Sequence, residues 1–497
     1  MEHSPERELK LTATPSFRMP SFYGLVGPTV RRAPPERTET TYYDTDDLRL
    51  ARWGASLRHR PGEGWTVKLP AERDAPYLVR PEIVFEGNSE SPPVAALELV
   101  RGFVRDAELH ERVRMTTIRR RTGLHDSDGR LLAGVVDDTV SVLDGEGTPA
   151  AFRELEVEIG DEMTPDLLDA LVERLRQAGA GGPEQTAKYV RALALDSPLT
   201  PEVAVPDFGA DATAGNVVRR AIALSVIRLI RHDPVVRIDT DPEGVHQARV
   251  ATRRLRSDLR TFRSLVDAAW SKGLRDELGW LADLLGKVRD GDVLMERLRH
   301  RVAALPAADQ EAAAAVLGTL ESKRDSAHSA LVEELRSRRY SRLLDDLVVA
   351  ANTPSLDESA SDPASDVVPG LVRRPWHKLE KRVRALGASP SDEELHAVRI
   401  RAKRVRYAAE AAAPIVGKPA RAFAKAAEGL QDVLGELNDS VVAERWVEKW
   451  GRHGRSLEEL RVVEAIVRTE RADAQARRES WRSEWEELSA PALRAWM

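Results

Sequence analysis

The stretch VHQARVATRRLRSDLRTF, residues 245–262, contains five arginines and one histidine but a single acid, Asp258. On an α-helix of 3.6 residues per turn, the basic side chains fall on one face, and an apolar row starting at Val245 lies about 100° around the axis. The basic face comprises His246, Arg249, Arg253, Arg256 and Arg260, with Arg254 at its edge. The pattern predicts an amphipathic helix whose apolar side packs in a core beside a stripe of positive charge.

The same pattern recurs 150 residues later, in LHAVRIRAKRVRYAA at residues 395–409. A second pair of matching segments, LLGKVRDGDVL from residue 284 and VLGELNDSVVA from residue 433, repeats at an offset of 149. Two matches with the same spacing indicate a duplicated helical unit. The second stripe comprises His396, Arg399, Lys403 and Arg406, with Arg404 at its edge, and Glu410 stands where the first stripe has Arg260.

Both stripes are unusual for a solvated helix face, because such faces mix signs to avoid repulsion between like charges three or four residues apart. Two interpretations follow. Acids from other helices neutralise the arginines inside the bundle, or the arginines bind an external polyanion, which we favour. A nucleic acid is the less favoured polyanion, because Phe262 and Tyr407 are the only aromatic residues close to the stripes and bases need stacking partners.

The chain as a whole has 497 residues and a formal net charge of -6, and this length predicts two or three domains. It contains no cysteine, which excludes disulfides and thiolate metal sites and suits a reducing cytoplasm. The first residues lack the pattern of a secretory signal, and no apolar run is long enough to span a membrane. We therefore expect a cytoplasmic protein without membrane contact, and no pattern specifies an oligomeric state.

Hydrophobic periodicity divides the chain into two parts. Residues 1–196 mostly alternate polar and apolar positions between turn sequences, which predicts a domain of antiparallel strands. The proline-rich segment SPLTPEVAVPDFGAD, residues 197–211, predicts a linker, and residues 212–497 have a helical period. The low-complexity segment NTPSLDESASDPASDVVPG, residues 352–370, predicts a flexible loop. The repeat halves then run over about 212–351 and 371–497.

Two strands of the N-terminal part carry charges at every second position, so that each strand points them to one face. The first contributes Glu6, Glu8 and Lys10, and a later one contributes Glu154, Glu156 and Glu158. Basic residues stand on other strands, namely Arg58, Arg60, Lys68, Arg119, Arg120 and Arg121. A solvated sheet face is the ordinary interpretation. Stacked carboxylates also suit a shared hard cation such as Mg²⁺ or Mn²⁺, with the basic residues holding a phosphate substrate.

These strands resemble the CYTH domain, the family of triphosphate tunnel metalloenzymes, over roughly residues 4–195. Six blocks occur in the expected order, namely ERELK, YYDTDDLRLARWGASLRHR, WTVKLP, DDTV, ELEVEI and AKYVRAL. The resemblance implies an eight-stranded antiparallel β-barrel with a charged tunnel, in which lysines and arginines hold a triphosphate and carboxylates hold one or two divalent metal ions. The expected fold class is therefore α+β, with the barrel followed by an all-α domain.

The resemblance assigns a role to each matching position. It implies as metal or water-positioning acids Glu6, Glu8, Asp138, Glu154, Glu156 and Glu158, with Asp137 as the alternative to Asp138. It implies as triphosphate ligands Lys10, Arg58, Arg60, Lys68, Arg119, Arg121 and Lys188. The expected catalytic residues are Glu6, Glu8, Lys10 and Lys188. The family includes inorganic tripolyphosphatases, thiamine triphosphatases and adenylyl cyclases, and we identify no adenine or thiamine pocket in this sequence.

The helical part resembles the CHAD domain over about residues 212–497, on its duplicated HxxRVxxRRLR-like blocks. This resemblance implies two pseudo-symmetric helical bundles with a basic surface or pore that binds inorganic polyphosphate. The ligands it implies are His246, Arg249, Arg253, Arg254, Arg256, Arg260, His396, Arg399, Lys403, Arg404 and Arg406. We therefore expect a Mg²⁺- or Mn²⁺-dependent tripolyphosphatase joined to a polyphosphate-binding domain. The alternative is a catalytically weak protein that targets polyphosphate granules.

Overall fold

The structure of the chain is a computed structural model. It describes the chain except for residues 1, 26–28, 71, 75–76, 88–90, 144–150, 184–185, 194, 196, 208, 210 and 453–455. At residues 2–6, 72–74, 77–80 and 183 it describes the backbone but not the side chains. The chain forms two compact units, Met1–Glu202 and Val203–Met497. The boundary between them lies inside the segment predicted as a linker.

The first unit is built around a β-sheet. Over the described residues its strands are β1 Glu2–Ala13, β2 Thr29–Arg32, β3 Glu36–Asp44, β4 Ser56–Arg60, β5 Gly64–Lys68, β6 Glu72–Asp74, β7 Tyr77–Phe85, β8 His110–His125, β9 Leu131–Val142, β10 Ala151–Ile159 and β11 Ala180–Pro183. Its helices are α1 Arg49–Trp53, α2 Val94–Val104, α3 Pro165–Gln177 and α4 Lys188–Ala192.

The strands form one antiparallel sheet in the order β11-β1-β10-β9-β8-β3-β4-β5-β7-β6, with β2 paired to β8 beside this path. Strand β1 pairs with β10 along one side, and on its other side with β7 near its start and β11 near its end. The predicted class, an antiparallel sheet followed by a helical domain, is confirmed. The prediction of an eight-stranded barrel is wrong, because the long strands β1 and β8 extend past their main partners and the short strands β11 and β2 pair with the remaining N–H and C=O groups.

Alternation along the strands gives the sheet two chemically different faces. On the outer face, Leu11, Leu155 and Val157 pack against Leu171 and Leu175 of α3, and these side chains are fully buried. Glu8 and Lys10 of β1 and the glutamates at 154, 156 and 158 of β10 therefore point to the opposite, inner face. Burial of the apolar face stabilises the sheet and orients the charged face at the same time.

The second unit is entirely helical over the residues described. Its α-helices are α5 Ala214–Ile238, α6 Pro242–Thr261, α7 Ala268–Ala303, α8 Ala307–Leu335, α9 Arg338–Asn352, α10 Ala364–Arg384, α11 Asp392–Val416, α12 Lys418–Gly451, α13 Leu457–Leu488 and α14 Pro491–Arg494. Among the described residues, no helix combines the length and the apolar character that crossing a membrane requires.

The duplication extends over four consecutive helices. The pairs α5 and α10, α6 and α11, α7 and α12, and α8 and α13 begin at positions 150 residues apart. Both basic helices have a defined N-terminus: the Asp241 carboxylate accepts a hydrogen bond from the Glu243 N–H before α6, and Ser391 forms a capping box with Glu394 at α11. The equal offsets show that the repeat in sequence is a repeat in structure.

The segment predicted as a flexible loop over 352–370 is shorter and better packed than expected. Helix α10 begins at Ala364, so the connection narrows to 353–363 and contains a 3₁₀ turn at Glu358–Ser361. The Asp267 and Asp357 amides donate to Ser355 and Leu265 carbonyls at 2.9 Å each. The serine, aspartate and proline content predicted a flexible loop, but backbone hydrogen bonds to the residues just before α7 order the segment.

Candidate functional site

The inner face of the first unit encloses a cavity of about 240 Å³, called the charged cavity below. It is lined by Lys10, Tyr42, Ser56, Arg58, Arg60, Glu63, Lys68, Glu82, Arg119, Arg121, Glu156, Glu158, Ala187, Lys188 and Tyr189. Residues from β1, β3, β4, β5, β7, β8 and β10 meet there with the start of α4. All seven cations predicted to hold a triphosphate line this one cavity.

The strand register collects buried carboxylates on one side of the charged cavity, and we call this group the acid wall: Glu156 lines the cavity, and Glu8, Asp138 and Glu154 lie behind the lining. Lys10 on β1 lies opposite Glu156 on β10, and Glu154 lies opposite Asp138 on β9. Glu8, Asp138 and Glu154 are at most 1% exposed. So many buried acids require close cations, since an unpaired buried charge is strongly unfavourable.

Two lysine ammonium groups lie among these acids. Lys10 Nζ is 3.1 Å from Glu156 Oε1, 3.4 Å from Glu8 Oε1 and 3.7 Å from Glu154 Oε1. Lys188 Nζ is 2.5 Å from Asp138 Oδ2, 3.4 Å from Glu156 Oε1 and 3.5 Å from Glu154 Oε1. Residues far apart in sequence therefore share one ion-pair network.

Arginines complete this wall. The Arg119 guanidinium donates to both Asp138 oxygens, at 3.0 and 2.8 Å, and to Glu156 at 3.2 Å. Arg191 of α4 donates to Glu154 at 3.2 Å. Arg191 was not predicted as a site residue, although it stands within the quoted AKYVRAL block.

The opposite wall is formed by β4, β5 and β7. Arg58 Nη2 and Lys68 Nζ each lie 2.7 Å from the Glu82 carboxylate, and Arg60 donates to the Thr40 hydroxyl at 3.0 Å. Glu82 was not predicted either. Its position in the strand sequence EIVFEG indicates a strand, but nothing local shows which face meets Arg58 and Lys68.

Three of the predicted acids differ in their surroundings. The Glu6 side chain lies outside the described residues. Glu158 accepts a hydrogen bond from Arg121 at 2.9 Å near the cavity lining. Of the two alternatives at 137 and 138, Asp138 belongs to the acid wall, whereas Asp137 accepts bonds of 2.7 and 2.6 Å from Arg153.

The charges of the cavity shift its ionisation equilibria in opposite directions. Burial raises the pKa of Glu156, but Lys188 and Lys10 outweigh it and hold this pKa well below its usual range. Burial dominates at Glu154 and leaves the pKa of that carboxyl raised. Burial also raises the pKa of the Tyr42 hydroxyl, but nearby cations, led by Arg58, bring it below its ordinary value. Neighbouring groups with divergent pKa values are typical of reactive sites.

The donor atoms fit a hard divalent cation, although within the described residues no three carboxylate or imidazole groups are already arranged around a common metal position. Among the described residues, no group donates a hydrogen bond to the buried Glu8 Oε1 and Glu154 Oε1, and the nearest ammonium groups, of Lys10 and Lys188, lie 3.4 to 3.7 Å away. The acids of the wall offer only oxygen, the donor that Mg²⁺ and Mn²⁺ prefer. Orphaned buried carboxylate oxygens are the observation that supports this fit.

In the helical unit, the facing stripes of α6 and α11 form a second site. We define the basic cluster as Arg249, Arg253, Arg399 and Lys403. Arg249 donates to the Gly286 carbonyl at 2.9 Å and to Asp290 at 2.8 Å, and Arg253 donates to the Tyr407 hydroxyl at 2.9 Å. Both halves of the repeat therefore contribute cations to one place.

Burial and, after it, repulsion between neighbouring cations lower pKa values within the basic cluster. Burial and then Arg253 and Arg399 lower the pKa of Lys403 to about 7. Burial, together with Arg253, also lowers the pKa of Arg399, against the opposing influence of Asp439. A cluster that disfavours its own charge is stabilised by a bound anion.

The two histidines flank the basic cluster in different ways. His396 Nδ1 lies 2.7 Å from Asn438 Oδ1. Burial and the Arg289 charge lower the pKa of His246, which keeps this imidazole neutral at neutral pH. At 289 and 438 the repeat therefore places a cation beside one histidine and an amide beside the other.

The remaining predicted polyphosphate ligands separate into two groups. Arg254 and Arg406 each lie within 2.7 Å of Glu410, and Arg406 also lies 2.7 Å from Glu428. For these two arginines the bundle itself supplies acids. Arg256 lies against Gly279 of α7, and Arg260 and Arg404 line a separate cavity.

Known protein families match both units of the chain. Residues 4–190 match the CYTH domain and residues 220–448 match the CHAD domain. An uncharacterized protein of Mycobacterium tuberculosis strain H37Rv is 32% identical over 467 residues, covering 88% of this chain and 87% of the relative. This chain therefore belongs to the family of proteins in which a CYTH domain is joined to a CHAD domain.

Solved structures resemble separate parts of the chain. PptA from Streptomyces chartreusis is 22% identical, covers 55% of this chain and 100% of its own, and has a TM-score of 0.47. The CHAD domain from the plant Ricinus communis is 25% identical, covers 58% of this chain and 96% of its own, and has a TM-score of 0.48. The putative adenylyl cyclase HpAC1 from Hippeastrum, described as having a dominant triphosphatase activity, is 15% identical, covers 38% of this chain and 95% of its own, and has a TM-score of 0.24.

Proposed function

We propose that the first unit is a divalent-metal-dependent triphosphatase and that inorganic tripolyphosphate is its preferred substrate. The observation that carries this proposal is the charged cavity, which seven cations line and where Lys10, Lys188 and Arg119 contact the buried acids behind the lining. A linear triphosphate needs cations along its length and acids near the phosphorus that reacts. Adenylyl cyclase and thiamine triphosphatase activity are the alternatives for the same cavity.

The cationic side chains bind and orient the substrate. Arg58 and Lys68 exchange Glu82 for phosphate oxygens, and Arg60 adds a third donor on that wall. Arginine suits this task because its planar group pairs with two oxygens and stays charged. Lys188 and Arg119 stabilise the negative charge of the transferring phosphoryl group from the side of the acids.

The acids would hold the metal and handle protons. Glu8, Asp138 and Glu156 are the residues that would bind Mg²⁺ or Mn²⁺, with Glu6 and Glu158 as further candidates, and Glu154 is the water-positioning acid. The bound ion supplies Lewis-acid stabilisation of charge on phosphoryl oxygens. Glu154, whose pKa is raised, is the carboxylate we assign to accept the proton of the attacking water as the terminal P–O–P bond breaks and phosphate and pyrophosphate leave.

A phosphate-release assay tests the proposal. Tripolyphosphate, ATP, thiamine triphosphate and long-chain polyphosphate are each supplied with Mg²⁺ or Mn²⁺, and phosphate and pyrophosphate are measured separately. We expect the fastest phosphate release from tripolyphosphate, and loss of activity in Lys10→Ala and Glu8→Ala. Pyrophosphate release from ATP would favour a cyclase instead, and no product from any substrate would refute the enzyme.

We propose further that the helical unit binds inorganic polyphosphate through the basic cluster. The supporting observation is the convergence of cations from both repeat halves, where burial and then mutual repulsion lower the pKa values of Arg399 and Lys403. Polyphosphate binding would decrease strongly with salt concentration. Arg253→Glu combined with Lys403→Glu should remove binding at the basic cluster and strongly weaken the affinity of the chain for polyphosphate, and unchanged affinity would refute the assigned residues.

If polyphosphate binds and no substrate is turned over, the alternative of a catalytically weak targeting protein is favoured. In that case the chain would be expected on polyphosphate granules in the cytoplasm. The two measurements are independent, since one follows product and the other follows binding.

A further inference from the structure

The helical unit contains two cavities that the internal repeat relates to each other. The α10 cavity, of about 540 Å³, is lined by Ser257, Arg260, Thr261, Arg263, Ser264, Arg275, Gly370, Leu371, Arg374, Pro375, Lys378, Arg401 and Arg404. The α5 cavity, of about 170 Å³, is lined by Val217, Arg220, Ala221, Leu224, Ser225, Arg228, Arg254, Glu410, Ala411 and Pro414. Nearly every residue of the α5 cavity has its counterpart, 150 positions away, in the α10 cavity. The two cavities therefore occupy equivalent positions in the two halves of the repeat.

The two copies have diverged in charge at one decisive position. In the α5 cavity, Glu410 Oε2 lies 2.6 Å from Arg254, so the arginine is neutralised. The residue that corresponds to Glu410 in the α10 cavity is Arg260, and the counterpart of Arg254 is Arg404. The α5 cavity therefore contains a carboxylate next to an arginine, whereas the α10 cavity contains two arginines at the corresponding positions.

The α10 cavity has seven cationic residues and no acid among its lining residues. Leu224 of the α5 cavity corresponds to Arg374, and Arg401 stands where the first half has Ala251. The hydrogen bonds of Arg275 and Arg401 recorded among the described residues go to backbone carbonyls one helical turn earlier, at 3.1 and 2.9 Å. The cavity wall therefore leaves its positive charge uncompensated.

This arrangement is unfavourable without a ligand. Burial and the Arg404 charge lower the pKa of Arg260, and burial and the Arg401 charge lower the pKa of Arg404. The chain has a net charge of -6, so a general excess of cations does not explain seven of them in one cavity. A multiply charged anion would remove the repulsion.

We propose that the α10 cavity binds consecutive phosphate groups of a polyphosphate chain, as a site separate from the basic cluster. The inference rests on the polyphosphate binding proposed above and adds a second site, present in one repeat half only. The volume is within the range of ligand pockets. None of its lining residues is aromatic, so a nucleic acid base would find no stacking partner there.

Lys378 offers a local readout, because this exposed amine lines the α10 cavity. The full chain carrying Arg253→Glu and Lys403→Glu is treated with an amine-acylating reagent, with and without long-chain polyphosphate, and acylation is measured by mass spectrometry. We expect polyphosphate to protect Lys378 but not the exposed Lys425, which serves as the internal control. Single-stranded DNA is tested in parallel. Protection by DNA at lower concentrations would assign the cavity to nucleic acid and overturn the proposal.

Exchange of the diverged residue provides the matched test. Arg260→Glu in the same background installs the residue of the α5 cavity and should raise the polyphosphate concentration that protects Lys378 roughly tenfold or more. Glu410→Arg, the reciprocal change, should leave Lys378 protection unaltered. Unfolding curves for each variant check that the fold is retained.

The outcomes separate the two levels of inference. Polyphosphate binding by the unmodified chain without protection of Lys378, or protection that survives Arg260→Glu together with Arg404→Ala, would overturn the α10 site and leave the basic cluster standing. Failure of the unmodified chain to bind polyphosphate would overturn both.

Discussion

At the scale of single residues, two ionisable side chains have surroundings that shift their pKa values strongly, and at both positions the other repeat half has a different residue. Lys403 carries the ammonium group of the basic cluster at the position where the other half has Arg253, and its pKa is lowered to about 7. Asp258 is a fully buried carboxyl at the position where the other half has Ala408, and burial raises its pKa to about 7. Both residues are ionisable groups in surroundings that disfavour their charged forms, and both predict pH-dependent behaviour.

Lys403 predicts that polyphosphate binding takes up a proton. The free pKa is about 7, and a bound polyanion would raise it, so affinity is highest below pH 7 and decreases above it. We expect a decrease of roughly tenfold between about pH 7 and about pH 8.5, measured by calorimetric titration. Lys403→Arg should flatten this profile, because guanidinium remains charged. An equally steep profile in that variant would contradict the assignment.

Asp258 predicts a pH-dependent loss of stability. Its folded pKa of about 7 lies above the unfolded value of 3.8, so the folded state holds the proton more tightly and stability decreases as pH rises from about 4 through 7. Neither carboxylate oxygen accepts a hydrogen bond among the described residues. Asp258→Ala should raise the free energy of unfolding by roughly 2–4 kcal/mol at about pH 8, and by less at about pH 5.

Urea unfolding followed by circular dichroism measures this effect, and Asp258→Asn controls for the volume removed. Arg254 keeps Glu410 as its closer partner in both variants. A stability gain in Asp258→Ala that is the same at both pH values would contradict the proposed cause.

At the scale of elements, adjacent residues of one strand lie on opposite faces, so that one side chain enters the charged cavity and the next is exposed. On β8, Arg119 points to the charged cavity and pairs with Asp138. The next residue, Arg120, is exposed on the other face and donates to Thr139 at 3.3 Å. Strand alternation alone places one arginine in the cavity and the adjacent one outside it.

This adjacent pair gives a matched prediction for activity. Arg119→Ala should reduce kcat for tripolyphosphate by roughly 10²-fold to 10³-fold, because it removes charge stabilisation next to Asp138. Arg120→Ala removes the same side chain from the opposite face and should leave kcat and KM unchanged. Equal losses in both variants would indicate damage to the sheet rather than loss of a substrate contact.

At the scale of the whole molecule, the last residue of the first unit belongs to the buried contacts that stabilise that unit. The last residue of the first unit, Glu202, accepts a hydrogen bond of 2.6 Å from the Trp53 indole and pairs with buried Arg105. Glu202 lies inside the segment expected to be a linker, whereas Arg105 directly follows α2. The compact unit therefore includes six residues more than periodicity predicts, since residue 202 belongs to its buried network.

Removal of Glu202 should destabilise the first unit selectively. Glu202→Ala leaves Arg105 buried without its carboxylate, and we expect a loss of about 3 kcal/mol in the free energy of unfolding of this unit. Hydrogen exchange resolved by peptide would show faster exchange in residues 49–105 and unchanged exchange in the helical unit. Glu202→Gln, which keeps a partner for Trp53, should lose less. Equal exchange in the variant and the unmodified chain would contradict this role.

Local sequence patterns predicted much of the architecture. The period of two followed by a period of 3.6 predicted a sheet and then helices, and the 150-residue repeat predicted a duplicated helical unit. The number of strands was not predictable, because short strands such as β2 form only where a longer neighbour leaves N–H and C=O groups free. The connection after α9 was misjudged for a similar reason, since distant backbone groups order it.

The sequence by itself determined which residues share a face, because helix and strand periods are local properties of the chain. It placed the cations of the charged cavity and of the basic stripes on faces of their own. Only the tertiary structure decided which cations are neutralised. Arg254 finds Glu410 while Arg260 faces Arg404, and Arg58 finds Glu82, because an ion pair depends on which distant side chains the fold brings within a few ångströms.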